Sequence, residues 1–377
     1  MIFEEIETPA PLVDLERVRA NLERVSRYCS AHGLTWRPHV KTHKSPELAA
    51  EQRRMGAVGV TVATPREAET MVCAVDDVLL AYPPVGTSKL RRLMELAPFP
   101  TRLAVALDSS VVLRGLDRSA HESGREVDVL VELDVGMGRL GVQSPADAVA
   151  LAREAAGLNH VRYRGLLFYP GHIREPLPEQ GSALRRLSET LARFLGALAE
   201  AGLPPETVSG GSTPTLWRSH EIGGITEVRP GTNIFNDRTT AAIGACAWDE
   251  CAYSVLSTVV STSVPGQAVI DAGSKALSRE ELRGPGGGYG ALLDRPEVTV
   301  RTLSEEHGML ELSGTRWRPR VGERVRVVPN HVCVSVNLSE RLFGVEGGGL
   351  IRSWPVAGRG RERAEATLPP SPPAARS

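Results

Sequence analysis

No uninterrupted apolar run in the 377 residues is long enough to span a bilayer. The acidic opening, Met1-Ile-Phe-Glu-Glu-Ile-Glu, lacks the basic and apolar regions of a signal peptide. An excess of charge of either sign is missing too. Lys and Arg total 44 against 45 Asp and Glu, a net charge of −1. Nucleic acid or an anionic membrane would demand a basic excess, so neither is expected as a partner. Cysteine is scarce, with five residues at positions 29, 73, 246, 251 and 333. Few and odd in number, they argue against a disulfide framework and for a reducing, cytoplasmic setting. No Gly-x-Gly-x-x-Gly follows the first expected strand, which disfavours a dinucleotide-binding sheet. The run Gly284-Pro-Gly-Gly-Gly-Tyr-Gly290 lacks the Gly-Lys-Ser/Thr ending of a phosphate loop and reads as a flexible loop. There is no internal repeat.

What is present is an alternation. Short apolar runs at 36–41, 57–63, 77–81, 102–108, 127–134, 161–168, 207–209 and 225–229 read as strands. Pro38 weakens the first, because proline removes a ladder donor. Helical patterns lie between them. One spans 46–55, with Ser45 as N-cap and Pro46 at the first helical position. Thr64-Pro-Arg-Glu67 is a capping box that opens the next. Ser144 starts a third, and a long one covers 181–201. Strands alternating with helices predict an α/β fold, a (β/α)8 TIM-type barrel over 8–240. From 241 to 357 the texture changes to Val-rich runs broken by Gly and Pro, the pattern of a mainly β domain. Its strands include 333–337, and His331 and Cys333, two apart on this extended stretch, would point to the same face. The tail 358–377, rich in Arg, Pro, Ala and Ser, is expected to be disordered.

In such a barrel chemistry collects at the carboxyl ends of the strands. The first expected strand ends at Lys41, and a lysine there can form a Schiff base with a carbonyl cofactor or substrate. His39 and His43 alternate with it and would share its face on an extended segment. The fifth strand runs into Asp134-Val-Gly-Met-Gly-Arg-Leu-Gly141 and the sixth into Tyr169-Pro-Gly-His172. The last two run into Ser209-Gly-Gly-Ser-Thr-Pro-Thr215 and Arg229-Pro-Gly-Thr-Asn233, loops that suit a phosphate. A Schiff-base lysine opposite a phosphate site, with an arginine and an aromatic between them, makes a pyridoxal phosphate pocket.

These motifs resemble those of the D-threonine aldolase / D-serine dehydratase family, within the alanine-racemase-like class of pyridoxal phosphate enzymes. The likeness rests on Arg37-Pro-His-Val-Lys-Thr-His-Lys44, the 134–141 loop, Ser209 to Thr213, Arg229-Pro-Gly231, Asp271-Ala-Gly-Ser-Lys275, Glu306-His-Gly308 and Pro329-Asn-His-Val-Cys333. It implies that Lys41 tethers the cofactor, Arg139 bonds its phenolic oxygen and Tyr169 packs against its ring. It also implies that Gly210, Gly211, Ser212, Thr213, Gly231 and Thr232 hold the phosphate and Arg229 partners the pyridine nitrogen. His331 and Cys333 would bind a divalent metal. Imidazole with thiolate suits Zn²⁺, with Mn²⁺ or Mg²⁺ as alternatives.

The resemblance implies a lyase acting on small D-configured β-hydroxy-α-amino acids, by dehydration or by Cα–Cβ cleavage. Dehydratases of the family carry His-x-Cys and its aldolases His-x-Asp, so Cys333 leans towards dehydration. A homodimer is implied in the same way. His172 is a candidate second acid/base; His307 could line the substrate side or sit in a turn. Lys275 is expected to form an ion pair and Asp134 to orient its loop. Two other readings stay open. One is an amino-acid racemase or epimerase of the same class, for which no partner tyrosine is evident. The other is a non-catalytic pyridoxal phosphate-binding protein.

Overall fold

The computed structural model describes residues 5–96, 101–282 and 286–362. Eight parallel strands run in the order Thr35–Trp36, Glu227–Val228, Thr207–Gly210, Val161–Phe168, Val127–Leu133, Arg102–Leu107, Asp77–Leu80 and Val60–Val62. All seven residues of Val127–Leu133 are buried, as expected of a parallel strand covered on both faces. Leu79, Ala104, Ala106, Leu130 and Leu167 pack together as a compact interior cluster. The apolar faces of the helices join the much larger core outside the strands.

The first strand is shorter than expected, and Pro38 is the reason. Only Thr35 and Trp36 pair regularly with Glu227 and Val228. The barrel is nevertheless closed beyond them. Arg37 N donates to Val228 O, His39 N to Pro230 O and Thr61 N to Pro38 O, at 3.0, 2.9 and 2.8 Å. His39 and Thr61 form a parallel bridge. The chain then tightens into a 3-10 turn, Val40–Thr42.

The helices follow their caps. Ser45 accepts from Leu48 N, Thr64 from Glu67 N and Ser144 from Asp147 N, and each of the three helices opens with proline. In the expected capping box at Thr64 the Glu67 carboxylate accepts from Ala63 N instead, at 2.6 Å. It also pairs with Lys44 Nζ at 3.3 Å, which ties the lysine loop to this helix.

The second sheet has nine strands. In order they are Gln267–Ile270, Gly308–Glu311, Arg295–Leu303, Gly290–Leu292, Arg324–Pro329, Tyr253–Ser261, Ala10–Asp14, Arg341–Glu346 and Gly349–Pro355. Gln267–Ile270 also pairs with Tyr253–Ser261, which curls part of the sheet into a closed antiparallel barrel. Ala10–Asp14 lies between Tyr253–Ser261 and Arg341–Glu346. The first described strand therefore belongs to the second sheet, and the helix Leu15–Ala31 follows it directly.

The expected strand at 333–337 is instead part of the helix Val332–Leu338. Its Val-Cys-Val-Ser-Val sequence is strand-like in propensity, but tertiary packing overrides it. Val332 and Val336, one helical turn apart, are fully buried. Of the glycine-rich stretch, 284 and 285 lie outside the described residues. The rest is tied down, with Arg238 Nη1 donating to Gly287 O at 2.7 Å and Tyr289 N to Val300 O at 2.8 Å. Of the expected disordered tail, Gly358 N donates to Lys44 O at 2.9 Å. Residues 363–377 lie outside the described residues. No helix among the described residues is long and apolar enough to cross a membrane.

Candidate active site

Barrel closure sets Lys41 at the carboxyl end of the sheet. The 3-10 turn presents its ammonium 5.7 Å from the centre of the Tyr169 ring. The Arg139 guanidinium carbon lies 5.0 Å from the same centre. Both are within cation–π range. Arg139 is placed by its loop, which Asp134 organises. One carboxylate accepts the N–H groups of Gly136, Met137 and Gly138 at 3.0, 2.9 and 3.1 Å. Burial pushes this carboxyl up, but those donors and the Gln143 amide hold it below the usual range. Gly141 closes the loop, and any Cβ there would lie 2.2 Å from Asp134 N.

The small-residue loops form the opposite wall. Gly210 allows the chain to pass Phe168; a Cβ would sit 2.1 Å from Phe168 Cζ. Gly211 has φ +83°, a left-handed conformation that turns the backbone at the strand end. Thr213 Oγ1 accepts from Gly231 N and Asn233 N, both at 3.3 Å, and so joins the two loops. A Cβ at Gly231 would meet His39 O at 2.8 Å. These close approaches leave a narrow backbone cradle of the kind anions occupy.

Arg229 lies beneath, buried and fixed. Its Nη1 donates to Ser209 Oγ at 2.7 Å and its Nη2 to Phe168 O at 2.9 Å. Ser209 donates in turn to Glu227 Oε1 at 2.5 Å, and Arg37 Nε donates to Glu227 Oε2 at 2.8 Å. Burial lowers the Arg229 guanidinium to about 10, against the pull of Glu227 and Glu132. It therefore stays charged at neutral pH. Arg229 Nε is buried with no partner among the described residues, a donor left over for a ligand.

On the second domain's side stand His331 and Cys333. They do not share a strand face. His331 is the extended residue capping the helix, and Cys333 belongs to its first turn. Both still line one cavity with Lys41, Tyr169, Arg229 and the glycine loops. Thr42 Oγ1 lies 3.1 Å from Cys333 Sγ. Burial opposes charge on both groups. Even so, the nearby Cys333 sulfur and Asp237 carboxylate push His331 up to about 11, and His331 and Lys41 draw Cys333 down. Among the described residues no cluster of three or more His, Cys, Asp or Glu is arranged to hold a metal.

Of the thirteen residues expected to act in catalysis or to hold cofactor or metal, ten line this cavity: Lys41, Tyr169, Gly211, Ser212, Thr213, Arg229, Gly231, Thr232, His331 and Cys333. Arg139 meets the far partner of the set, Tyr169, and Gly210 underlies the turn. His172 is exposed and outside the cavity lining, with its Nε2 3.3 Å from where a Gly136 Cβ would be. His39 lines the cavity, but His43 does not share its face, because the 3-10 turn breaks the alternation. His43 is buried between Gln52 and Ser45 N, and burial lowers it to about 4. His307 is an exposed turn residue, and Lys275 pairs with Glu306 at 2.5 Å.

Four residues went unnoticed in the sequence: Thr42, Arg174, Asp237 and Glu132. Thr42 and Arg174 line the cavity, and Arg174 Nε donates to Gly171 O at 2.6 Å. Asp237 three residues before Thr240 is a readable cap signal, but its bond to His331 is not readable. Glu132 is buried in the barrel with one oxygen unpartnered, and burial pushes it up to about 7.

The residues present fit both expected groups. Lys41, the unpartnered Arg229 donor and the glycine cradle suit pyridoxal phosphate. An imidazole beside a thiol suits a divalent metal that keeps open positions.

Comparison with known proteins agrees with this geometry. The alanine racemase N-terminal domain matches residues 13–239, and a putative serine dehydratase domain matches 252–345. A D-threonine aldolase from Arthrobacter sp. is 31% identical over 95% of this chain and 94% of its own. The D-threo-3-hydroxyaspartate dehydratase of Delftia sp. (strain HT23) is 32% identical over 93% and 97%. Its structure superposes with a TM-score of 0.87 at 30% identity, covering 97% of this chain and all of that one. A crystal structure of D-threonine aldolase from Filomicrobium marinum gives a TM-score of 0.86 at 34% identity, covering 94% and 96%. The chain belongs to the D-threonine aldolase / D-serine dehydratase family, an alanine-racemase-type barrel joined to a serine dehydratase domain.

Proposed function

We propose that the protein is a pyridoxal phosphate- and divalent-metal-dependent lyase of D-configured β-hydroxy-α-amino acids, acting by loss of the β-hydroxyl. The single observation that carries this reading is the convergence of Lys41, the Gly211–Thr213 turn and the His331/Cys333 pair on one cavity. Bound pyridoxal phosphate supplies an electron sink for charge developing at the substrate Cα. Lys41 Nζ tethers it and, once freed by the substrate amine, accepts the Cα proton. Arg229 stays protonated, and its planar fork is already committed to Ser209 and Phe168 O. It offers Nε as a hydrogen-bond donor without giving up its proton, so it does not supply a full positive charge to the pyridine nitrogen. Help with the departing hydroxyl then has to come from elsewhere. His331 and Cys333 would hold a divalent metal, Zn²⁺ by donor type, which supplies Lewis-acid assistance at the β-oxygen. Tyr169, with Arg139 on it, closes one side of the site.

The net reaction removes water from Cα–Cβ, and the product hydrolyses to a keto acid and ammonia. Cys333 supports this over carbon–carbon cleavage. A D-threo-3-hydroxyaspartate dehydratase has also been solved with a cysteine replaced by alanine, in a metal-free form. We further propose that the enzyme works in the cytoplasm as a homodimer. The test is a product assay with D-threo-3-hydroxyaspartate, D-threonine and D-serine, with and without chelator. Keto acid and ammonia, abolished by chelation and restored by metal, are expected. Glycine and aldehyde would replace dehydration by cleavage, and chelator-insensitive inversion without consumption would mean a racemase.

A further inference from the structure

We infer that Asp237 is the positioning residue of the metal pair: it fixes His331 with Nδ1 as donor, so that Nε2 is the nitrogen offered to the metal. The inference rests on the proposed metal-dependent lyase.

Asp237 is fully buried and lies in the cavity wall. A buried carboxylate beside an imidazole and a thiol could be taken for a third metal ligand. Its hydrogen bonds argue otherwise. Oδ1 accepts Thr240 N at 2.8 Å and Thr240 Oγ1 at 2.9 Å. Oδ2 accepts Val332 N at 3.1 Å and lies 3.1 Å from His331 Nδ1. Each oxygen thus has two contacts, and a carboxylate offers about four acceptor sites in all.

The direction of the bond to His331 follows. Thr240 N, Thr240 Oγ1 and Val332 N all donate to the Asp237 carboxylate, so both oxygens are placed as acceptors, and the remaining contact, to His331 Nδ1, is an acceptor contact too. Nδ1 must therefore carry the proton, and the lone pair of a neutral ring sits on Nε2. Carboxylate–histidine pairs fix metal-ligand tautomers in this way. The contact to Val332 N adds a second restraint, because it holds the backbone at the start of the helix that carries Cys333. One carboxylate therefore sets the orientation of one ligand and the backbone next to the other. Its other oxygen caps the short helix Arg238–Ala242. Thr239 and Thr240 of that helix form the same cavity wall.

The test uses the full-length protein loaded with pyridoxal phosphate, stripped of metal and titrated with Co²⁺. Binding is read from the sulfur-to-cobalt charge-transfer absorbance, independently of turnover. Asp237→Asn should weaken Co²⁺ affinity by roughly 10–100-fold, the usual effect of losing such a partner. The band position should not move, because Cys333 still ligates. Thr240→Ala removes one bond to Oδ1 but spares the His331 side, so it should lose distinctly less affinity than Asp237→Asn. Equal affinity in Asp237→Asn and wild type overturns the inference. So does an equal loss in Thr240→Ala, which would make the effect one of helix capping.

A second measurement needs no variant at the aspartate. In the Zn²⁺-loaded wild type, nitrogen NMR of labelled histidines, with His331 assigned by its loss in His331→Gln, should show Nδ1 protonated and Nε2 metal-bound. The opposite tautomer overturns the inference even if Asp237→Asn does not fold. Wild type that binds neither metal contradicts the parent reading instead.

Discussion

Thr42 Oγ1 and Cys333 Sγ lie 3.1 Å apart, although 291 positions separate them in the chain. Thr42 follows the lysine of the barrel, and Cys333 belongs to the second domain. This contact joins the proposed tethering amine and the proposed metal pair into one site. Thr42→Val keeps the shape and removes the hydroxyl. A hydrogen bond to a charged partner contributes about 1.5–3 kcal/mol. The expected outcome is a fall of roughly tenfold or more in kcat/KM, with unchanged cofactor absorbance. Steady-state kinetics and a visible spectrum check it.

Cys333→Ala separates the two halves of the site. Lys41 is held by the 3-10 turn Val40–Thr42, on the barrel side. The variant should therefore keep its Schiff-base absorbance, lose tight metal binding and lose nearly all turnover. Loss of the absorbance as well would mean that Cys333 supports the barrel wall and not a metal.

Asp134 predicts a pH dependence. Its carboxyl is held low in the folded protein. A depressed carboxyl contributes stability that is complete above the unfolded value, about 3.9. That contribution is lost as pH falls through the lower folded value. Asp134→Asn should therefore lower the melting temperature at pH 7. The gap from wild type should close as pH falls below about 4. A gap independent of pH would exclude the charge as its source.

Gly210→Ala tests the cradle. The added methyl would lie 2.1 Å from the buried Phe168 ring. Overpacking of this kind costs about 1–3 kcal/mol. A melting temperature lowered by several degrees, with weaker pyridoxal phosphate affinity, is expected by calorimetry and titration.

Arg174 is the cavity-lining guanidinium not engaged beneath the cradle. A substrate carboxylate is its natural partner. Arg174→Gln should raise KM by roughly 10-fold or more, the loss of one charge-assisted bond, and change kcat much less. Comparing D-threo-3-hydroxyaspartate with D-serine would show which carboxylate it meets.

Much of this site was legible because its parts are local. Lys41 sits in the turn that follows the first strand, Gly210 and Gly211 mark the end of another, and Asp134 heads a loop whose N–H groups at 136, 137 and 138 converge on it. Such features are written in contiguous residues. The parts that were not legible depend on distant packing. The stretch 333–337 reads as strand because of its alternating valines, and only the burial of Val332 and Val336 selects helix. The same reversal hides how His331 and Cys333 come together. Ala10–Asp14 escaped notice because it belongs to a sheet whose other strands come some 240 or more residues later. His43 was misplaced because alternation fails in a 3-10 turn. Asp237 carries a local signal for its cap and none for its long-range bond.

The central claim is that one lysine amine tethers the cofactor inside the shared cavity. Borohydride reduction of the pyridoxal phosphate-loaded protein, followed by peptide mapping, tests it most directly. The account predicts a single stable pyridoxyl adduct on Lys41, absent from Lys41→Ala. An adduct on Lys44 or Lys275 with Lys41 unmodified, or no adduct at saturating cofactor, would contradict it.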